Sequence, residues 1–128
     1  MIKLIIDAAN ENIFLMIIDN KDIYNISHEN NQTNYEKLMI LINEFLKSKR
    51  LEINSISAIY VNRGPGSFAG MRNSLSTIKA VHVTKKIDYY CFSFKDFANE
   101  NDIKYENIPN LCNKFNIKKN LIKPAYIS

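Results

Sequence analysis

Apolar and polar positions alternate in short blocks over the first third of the chain. Leu4 to Ile6 is a compact apolar run rich in β-branched side chains, and Ile13 to Ile18 is a second. Asn10, Glu11 and Asn12 between them carry turn chemistry, so the two runs predict hairpin strands. Asp19, Asn20, Lys21 and Asp22 form another polar turn cluster before Ile23, Tyr24 and Ile26, which read as a third, more polar strand at a sheet edge. After a polar loop through Asn30, Asn31 and Gln32, Thr33 or Asn34 is placed to cap a helix running to about Arg50, with Glu36 in its first turn. Ile56 to Val61 predicts a strand, Gly64 to Gly70 a loop, Met71 to about Lys85 a second helix, and Tyr89 to Phe92 a fifth strand.

The order is therefore βββαβαβ. Three antiparallel strands followed by right-handed crossovers through helices make a mixed five-stranded sheet flanked by helices. That is an α/β architecture of the ribonuclease-H-like kind, the half-unit of the actin-like ATPase and sugar-kinase folds. From Phe94 onward the pattern weakens: Asn99, Asn101, Asn107 and Asn110 interrupt short apolar pairs, and Pro109 is expected to break any helix. The organised unit is expected over residues 1–98, with 99–128 as a short C-terminal extension.

Composition adds limits. At 128 residues and 46% apolar, the chain suits one domain with a real core. No run approaches the ~18 apolar residues of a membrane span, and the start lacks the charged, apolar and small-residue regions of a signal peptide, so a soluble cytoplasmic protein is expected. Cys91 and Cys112 stand far apart and outside any C-x-x-C pair, and read as buried small hydrophobes. Seventeen Lys and Arg against 13 acids give net +4 and a pI near 9.0. That balance suits work near RNA or an acidic partner, although the abundance of Lys, Asn and Ile also matches an A/T-rich coding bias.

The most informative segment is the loop before the second helix. All three glycines of the chain, Gly64, Gly66 and Gly70, fall within seven residues beside Pro65, and two of the three arginines, Arg63 and Arg72, flank them. Two readings stay open: backbone amides at a helix N-terminus that meet phosphate or carboxylate, and a turn that simply needs glycine. The spacing loosely resembles a dinucleotide fingerprint, which makes a nucleotide- or phosphate-binding enzyme the alternative function. However, the unit does not open the fold, no acid closes a following strand, and the G-K-[ST] ending of a P-loop is missing.

Asn62 to Arg72, reading N-R-G-P-G-S-F-A-G-M-R, resembles the R-G-P-G-S-F-T-G-x-R signature of the TsaB family, also called YeaZ, with Ala69 in place of threonine. Ile5, Ile6 and Asp7 resemble the family's opening I-D-T strand, and Leu38 to Leu46 its first helix, so the match covers roughly residues 1–98. Lys123, Pro124, Ala125, Tyr126 and Ile127 resemble its C-terminal P-x-Y-[LI] strand, which implies a short form retaining only a remnant of the family's second half. The resemblance implies a non-catalytic scaffold or dimerisation subunit in the synthesis of threonylcarbamoyladenosine in tRNA. In that role its two helices bind the catalytic paralogue TsaD, the ATPase TsaE joins the assembly, the chain pairs with itself when alone, and tRNA is contacted only indirectly. It implies no cofactor, and a signature loop of Arg63, Gly64, Pro65, Gly66, Ser67, Phe68, Gly70 and Arg72.

Candidate chemistry is thin. Asp7 invites a ribonuclease-H reading, but the end of the fourth strand offers Asn62 where a second acid should stand. An actin-type phosphate turn wants glycine after the first strand, where Ala8, Ala9 and Asn10 follow instead. The metal-binding H-x-x-x-H of the catalytic paralogue corresponds to Asn34 and Leu38. His28, read in a loop, and His82, on the second helix, lack a ligand cluster, and Ser67 lacks a base.

A partner surface is better supported. Leu38, Leu41 and Phe45 form one stripe of the first helix, while Tyr35, Met39, Ile42 and Leu46 form a second beside it. Together they span roughly 160° where a single sheet contact needs about 100°. On the second helix Met71, Leu75, Ile78 and His82 face one way, and the small residues Asn73, Thr77, Ala80 and Thr84 another. The extra stripe predicts either packing of the two helices on each other or a helix-bundle interface built from Tyr35, Leu38, Met39, Ile42, Leu46, Leu75, Ile78 and His82.

Overall fold

The structure, a computed structural model, describes residues 1–66 and 68–122. Strand β1 (Ile2–Asp7) pairs antiparallel with β2 (Asn12–Asp19), and β2 with β3 (Asp22–Glu29). The tight β2–β3 connection holds Asn20 at φ 56, a left-handed position that asparagine tolerates. Short helix α1 (Gln32–Glu36) and then α2 (Leu38–Ser48) lead to β4 (Ile56–Asn62), parallel to β1; α3 (Ala69–Lys85) leads to β5 (Asp88–Phe92), parallel to β4. The sheet order is β3-β2-β1-β4-β5, the expected mixed five-stranded sheet, with the largely exposed β3 at one edge.

Strand alternation divides the core in two. Leu4, Ile6, Ile13, Leu15, Ile17, Ile59 and Val61 face α2 and α3. Ile5, Met16, Tyr60 and Phe92 face the opposite side, against Phe97, Ile108, Leu111 and Cys112. The second layer comes largely from the region read as patternless. Pro109 does not break a helix there; it sits in the opening turn of α4 (Ile108–Lys114), where its missing N–H has no helical partner to lose. Residues beyond 98 thus supply one side of a core.

Other differences are local. The expected single helix is two, because the backbone departs from helical geometry at Lys37 (φ −108, ψ 29), and the cap is Asn31, whose side chain accepts from Asn34 N at 2.9 Å. His28 lies not in a loop but in β3, opposite Ile13. Cys91 and Cys112 are buried, and burial pushes each thiol up to about 12, as expected of inert small hydrophobes. The C-terminal strand expected at Lys123 to Ile127 lies outside the described residues. Among the described residues no helix is long and apolar enough to cross a membrane.

Candidate functional site

The glycine loop joins the end of β4 to the start of α3. Gly64 stands at φ 107, a region that side chains rarely enter, and its N–H donates to Asn62 Oδ1 at 2.8 Å. A Cβ at Gly66 would lie 2.8 Å from the carbonyl oxygen of Ala9, and one at Gly70 would collide with the side-chain amide of Asn30. That amide donates to the carbonyls of Ala8 (2.8 Å) and Asn10 (2.7 Å), stitching β3's end, the β1–β2 connection and the helix start together. The close approach that the glycines permit is therefore to the chain's own backbone, which favours the turn reading over a phosphate cradle. Arg63 pairs with Asp96 at 2.6 Å, and the other Asp96 oxygen accepts from Ser93 N at 2.8 Å, so the planar guanidinium has an internal acceptor. Arg72 is exposed on α3, Pro65 is half-buried, Phe68 is exposed at the helix start, and Ser67 lies outside the described residues.

Beside the loop opens a cleft of about 630 Å³ lined by Asp7, Asn10, Glu11, Phe14, Phe68 and Tyr105, among others. Asp7, 1% exposed, is its most buried acid. Its Oδ1 accepts from Ala9 N (3.0 Å) and Asn62 Nδ2 (3.1 Å), and its Oδ2 accepts from the Tyr105 hydroxyl (2.6 Å). The strand-end pair Asp7 and Asn62 is brought together as read. Tyr105 was invisible in the sequence, because it lies 98 residues from Asp7 in a stretch without periodicity. Its ring stacks on Phe14 with centroids 4.2 Å apart. Burial, then the Asp7 hydrogen bond and charge, push the Tyr105 phenol well above its ordinary range, so it remains a donor. Three of the four acceptor positions of the carboxylate are thus committed inside the fold. Among the described residues no three His, Cys, Asp or Glu side chains gather as a metal site.

The helices correct the expected interface. Leu38, Ile42, Leu46, Leu75 and Ile78 are all buried within this chain's core, Ile42 and Leu46 completely. The wide apolar arc of α2 is consumed by contacts with the sheet on one side and with α3 and Ile53 on the other, so these five residues have no surface to offer. Tyr35 and Met39 are half-buried against the same core, and His82 bonds the Ile87 carbonyl at 2.9 Å and packs edge-on to Tyr89. What remains open is a groove of about 440 Å³ between α2 and α3, lined by Met39, Asn43, Ile53, Thr77, Ala80 and Thr84, among others. Ile40 and Val83, 55% and 60% exposed, lie on the same two helices.

A family model described as "TsaD: tRNA N6-adenosine threonylcarbamoyltransferase" matches residues 26–108. The tRNA threonylcarbamoyladenosine biosynthesis protein TsaB of Buchnera aphidicola subsp. Baizongia pistaciae is 40% identical over 60 residues, which cover 45% of this chain and 26% of that protein. The chain therefore aligns with about a quarter of the length of this curated relative. Among solved structures, YeaZ from Pseudomonas aeruginosa superposes with TM-score 0.65 at 16% identity, covering 72% of this chain and 43% of that one. RuvC from Thermus thermophilus superposes with TM-score 0.51 at 11% identity, covering 92% and 82%. At such identities these two likenesses speak for the ribonuclease-H-like fold alone.

Proposed function

Because the chain belongs to the TsaB/YeaZ family, we propose that it is a non-catalytic scaffold subunit in the synthesis of threonylcarbamoyladenosine in tRNA, docking the catalytic TsaD subunit along its two long helices. The observation that carries this reading is the groove between α2 and α3. Its small residues Thr77, Ala80 and Thr84 allow a partner helix close approach, while Met39, Ile40 and Val83 offer apolar surface that nothing among the described residues covers fully. The contact is proposed on these exposed residues, not on the buried stripe. In the absence of TsaD the same groove would pair with a second copy, and TsaE would join the assembled pair. The commitment of Asp7 to Tyr105, Asn62 and Ala9 supports an accessory role, since a carboxylate so held has little capacity to act on a substrate.

Co-expression with the TsaD homologue of the same genome, followed by light scattering on the purified species, tests the proposal. A stable heteromer that is lost in Ala80→Arg and Ile40→Asp, with thermal melts unchanged, is the expected result. Retention of the heteromer in both variants would move the interface elsewhere, and its absence in the native pair would remove the scaffold reading.

A further inference from the structure

On the sheet face opposite that groove lies a second, basic one. It occupies about 590 Å³ where β1, β5, α4 and the segment after α4 meet, and Lys3, Lys118, Lys119, Tyr60, Tyr90 and Asn113 are among its lining residues. No acid lines it among the described residues. Neither Lys3 nor Lys118 forms an ion pair among the described residues. Lys119 reaches Asp88 only at 3.5 Å, with both side chains well exposed at 59% and 41%, a contact that phosphate readily replaces.

The groove is built rather than incidental. Its lysines come from separate parts of the chain, and the segment carrying Lys118 and Lys119 is fastened to β5. Asn120 N donates to the Tyr89 carbonyl at 2.7 Å, Tyr89 N donates to Asn120 Oδ1 at 3.0 Å, and Lys119 bridges to Tyr90. Along one side, Tyr60 and Tyr90 stack with centroids 4.9 Å apart and planes 9° from parallel, and Tyr90 is only half-buried. Lysines beside an aromatic pair and an amide-bearing helix suit a phosphate backbone with unstacked bases. An acidic protein surface would use the charges but gain little from the aromatic pair.

We propose that this groove binds RNA, engaging phosphates through Lys3, Lys118 and Lys119 and a base through Tyr90. The choice of tRNA as the natural ligand rests on the tRNA-modification reading; binding by the chain alone requires no TsaD, so each idea fails separately. Because the two grooves lie on opposite faces of the sheet, a protein partner on α2 and α3 leaves the RNA surface open.

Fluorescence anisotropy of the full chain with a labelled tRNA transcript and a labelled single-stranded oligoribonucleotide tests this. Three phosphate contacts give a salt slope of about −2.1 to −2.7, so raising salt from 50 to 200 mM weakens binding roughly 20- to 40-fold. Lys3→Glu with Lys118→Glu is expected to lower affinity at least tenfold and flatten the slope, while Lys79→Glu, exposed on α3 across the sheet, changes neither. Tyr90→Leu is expected to weaken the single strand several-fold with the salt slope intact. If the double variant fails to fold, Lys118→Glu decides, since that side chain is exposed. Native-like affinity in the lysine variants would overturn the proposal, as would equal competition by poly-glutamate, which would identify an acidic protein surface instead.

Discussion

Tyr105→Phe removes one hydroxyl and little else. The ring remains stacked on Phe14 and edge-on to Phe94, with centroids 4.2 and 5.9 Å away, so the variant isolates the 2.6 Å hydrogen bond to Asp7 Oδ2. A hydrogen bond to a charged group contributes about 1.5–3 kcal/mol. The open cleft beside Asp7 admits water to the vacated oxygen, which places the expected loss in the lower part of that range, about 1.5–2 kcal/mol. With an unfolding entropy of about 2.1 cal/mol/K per residue, that loss lowers Tm by roughly 6–7 °C. Calorimetry measures the shift, and urea titration should move the midpoint at constant slope. In an Asp7→Asn background the tyrosine hydroxyl has a less favourable, uncharged partner, and the same substitution should cost about half as much. A Tm within 1 °C of native, or an equal loss in both backgrounds, would refute the view that this bond ties the C-terminal layer to the strand ends.

Other expected outcomes follow from the same contacts. Ile42→Asp, at a fully buried position of α2, should collapse the thermal melt outright, since it strands a charge in the core; a folded variant defective only in partner binding would put Ile42 back at an interface. Gly70→Ala must displace the Asn30 amide and its bonds to Ala8 and Asn10, costing about 1–3 kcal/mol by chemical denaturation, and Asn30→Ala should lessen that penalty. Asn62→Asp sets two carboxylates about 3 Å apart and should destabilise strongly at pH 7, with partial recovery near pH 5 as one takes up a proton; melts at the two pH values decide. Cys91, Cys112 and Tyr60 are raised to about 12 by burial. Their folded values exceed the unfolded ones, so their contribution is complete below pH ~8.5 for the thiols and ~10 for the phenol and is lost as pH rises towards 12, at about 1.4 kcal/mol per pH unit per group. A pH-independent unfolding energy between pH 9 and 11 would contradict this.

The sheet was legible because β1, β2 and β4 are covered on both faces and so appear as short apolar runs that polar turns interrupt. The break at Lys37 was not, since lysine carries no conformational signal of its own. Pro109 was misread because proline terminates a helix interior but suits a first turn, and only the position of α4 distinguishes the two. The width of the apolar arc on α2 was read correctly as more than one contact; periodicity reports that a face is buried, not what buries it, and here α3 does so. Asp7 and Asn62 were recognisable as strand ends in register. Tyr105 was not, because a hydrogen bond between such distant residues leaves no local pattern.

Asn62 explains why the signature loop and the Asp7 cleft form one device. Its Nδ2 donates to Asp7 while its Oδ1 accepts from Gly64 N, so the carboxylate selects the amide orientation that receives the loop. An aspartate at 62 could still accept from Gly64 but would repel Asp7, and the strand ends would then require a cation between them. Asparagine at this point converts a charge problem into a neutral bracket. That bracket supports the glycine turn, the turn fixes where α3 begins, and the start of α3 aligns Thr77, Ala80 and Thr84 along the groove proposed to receive a partner.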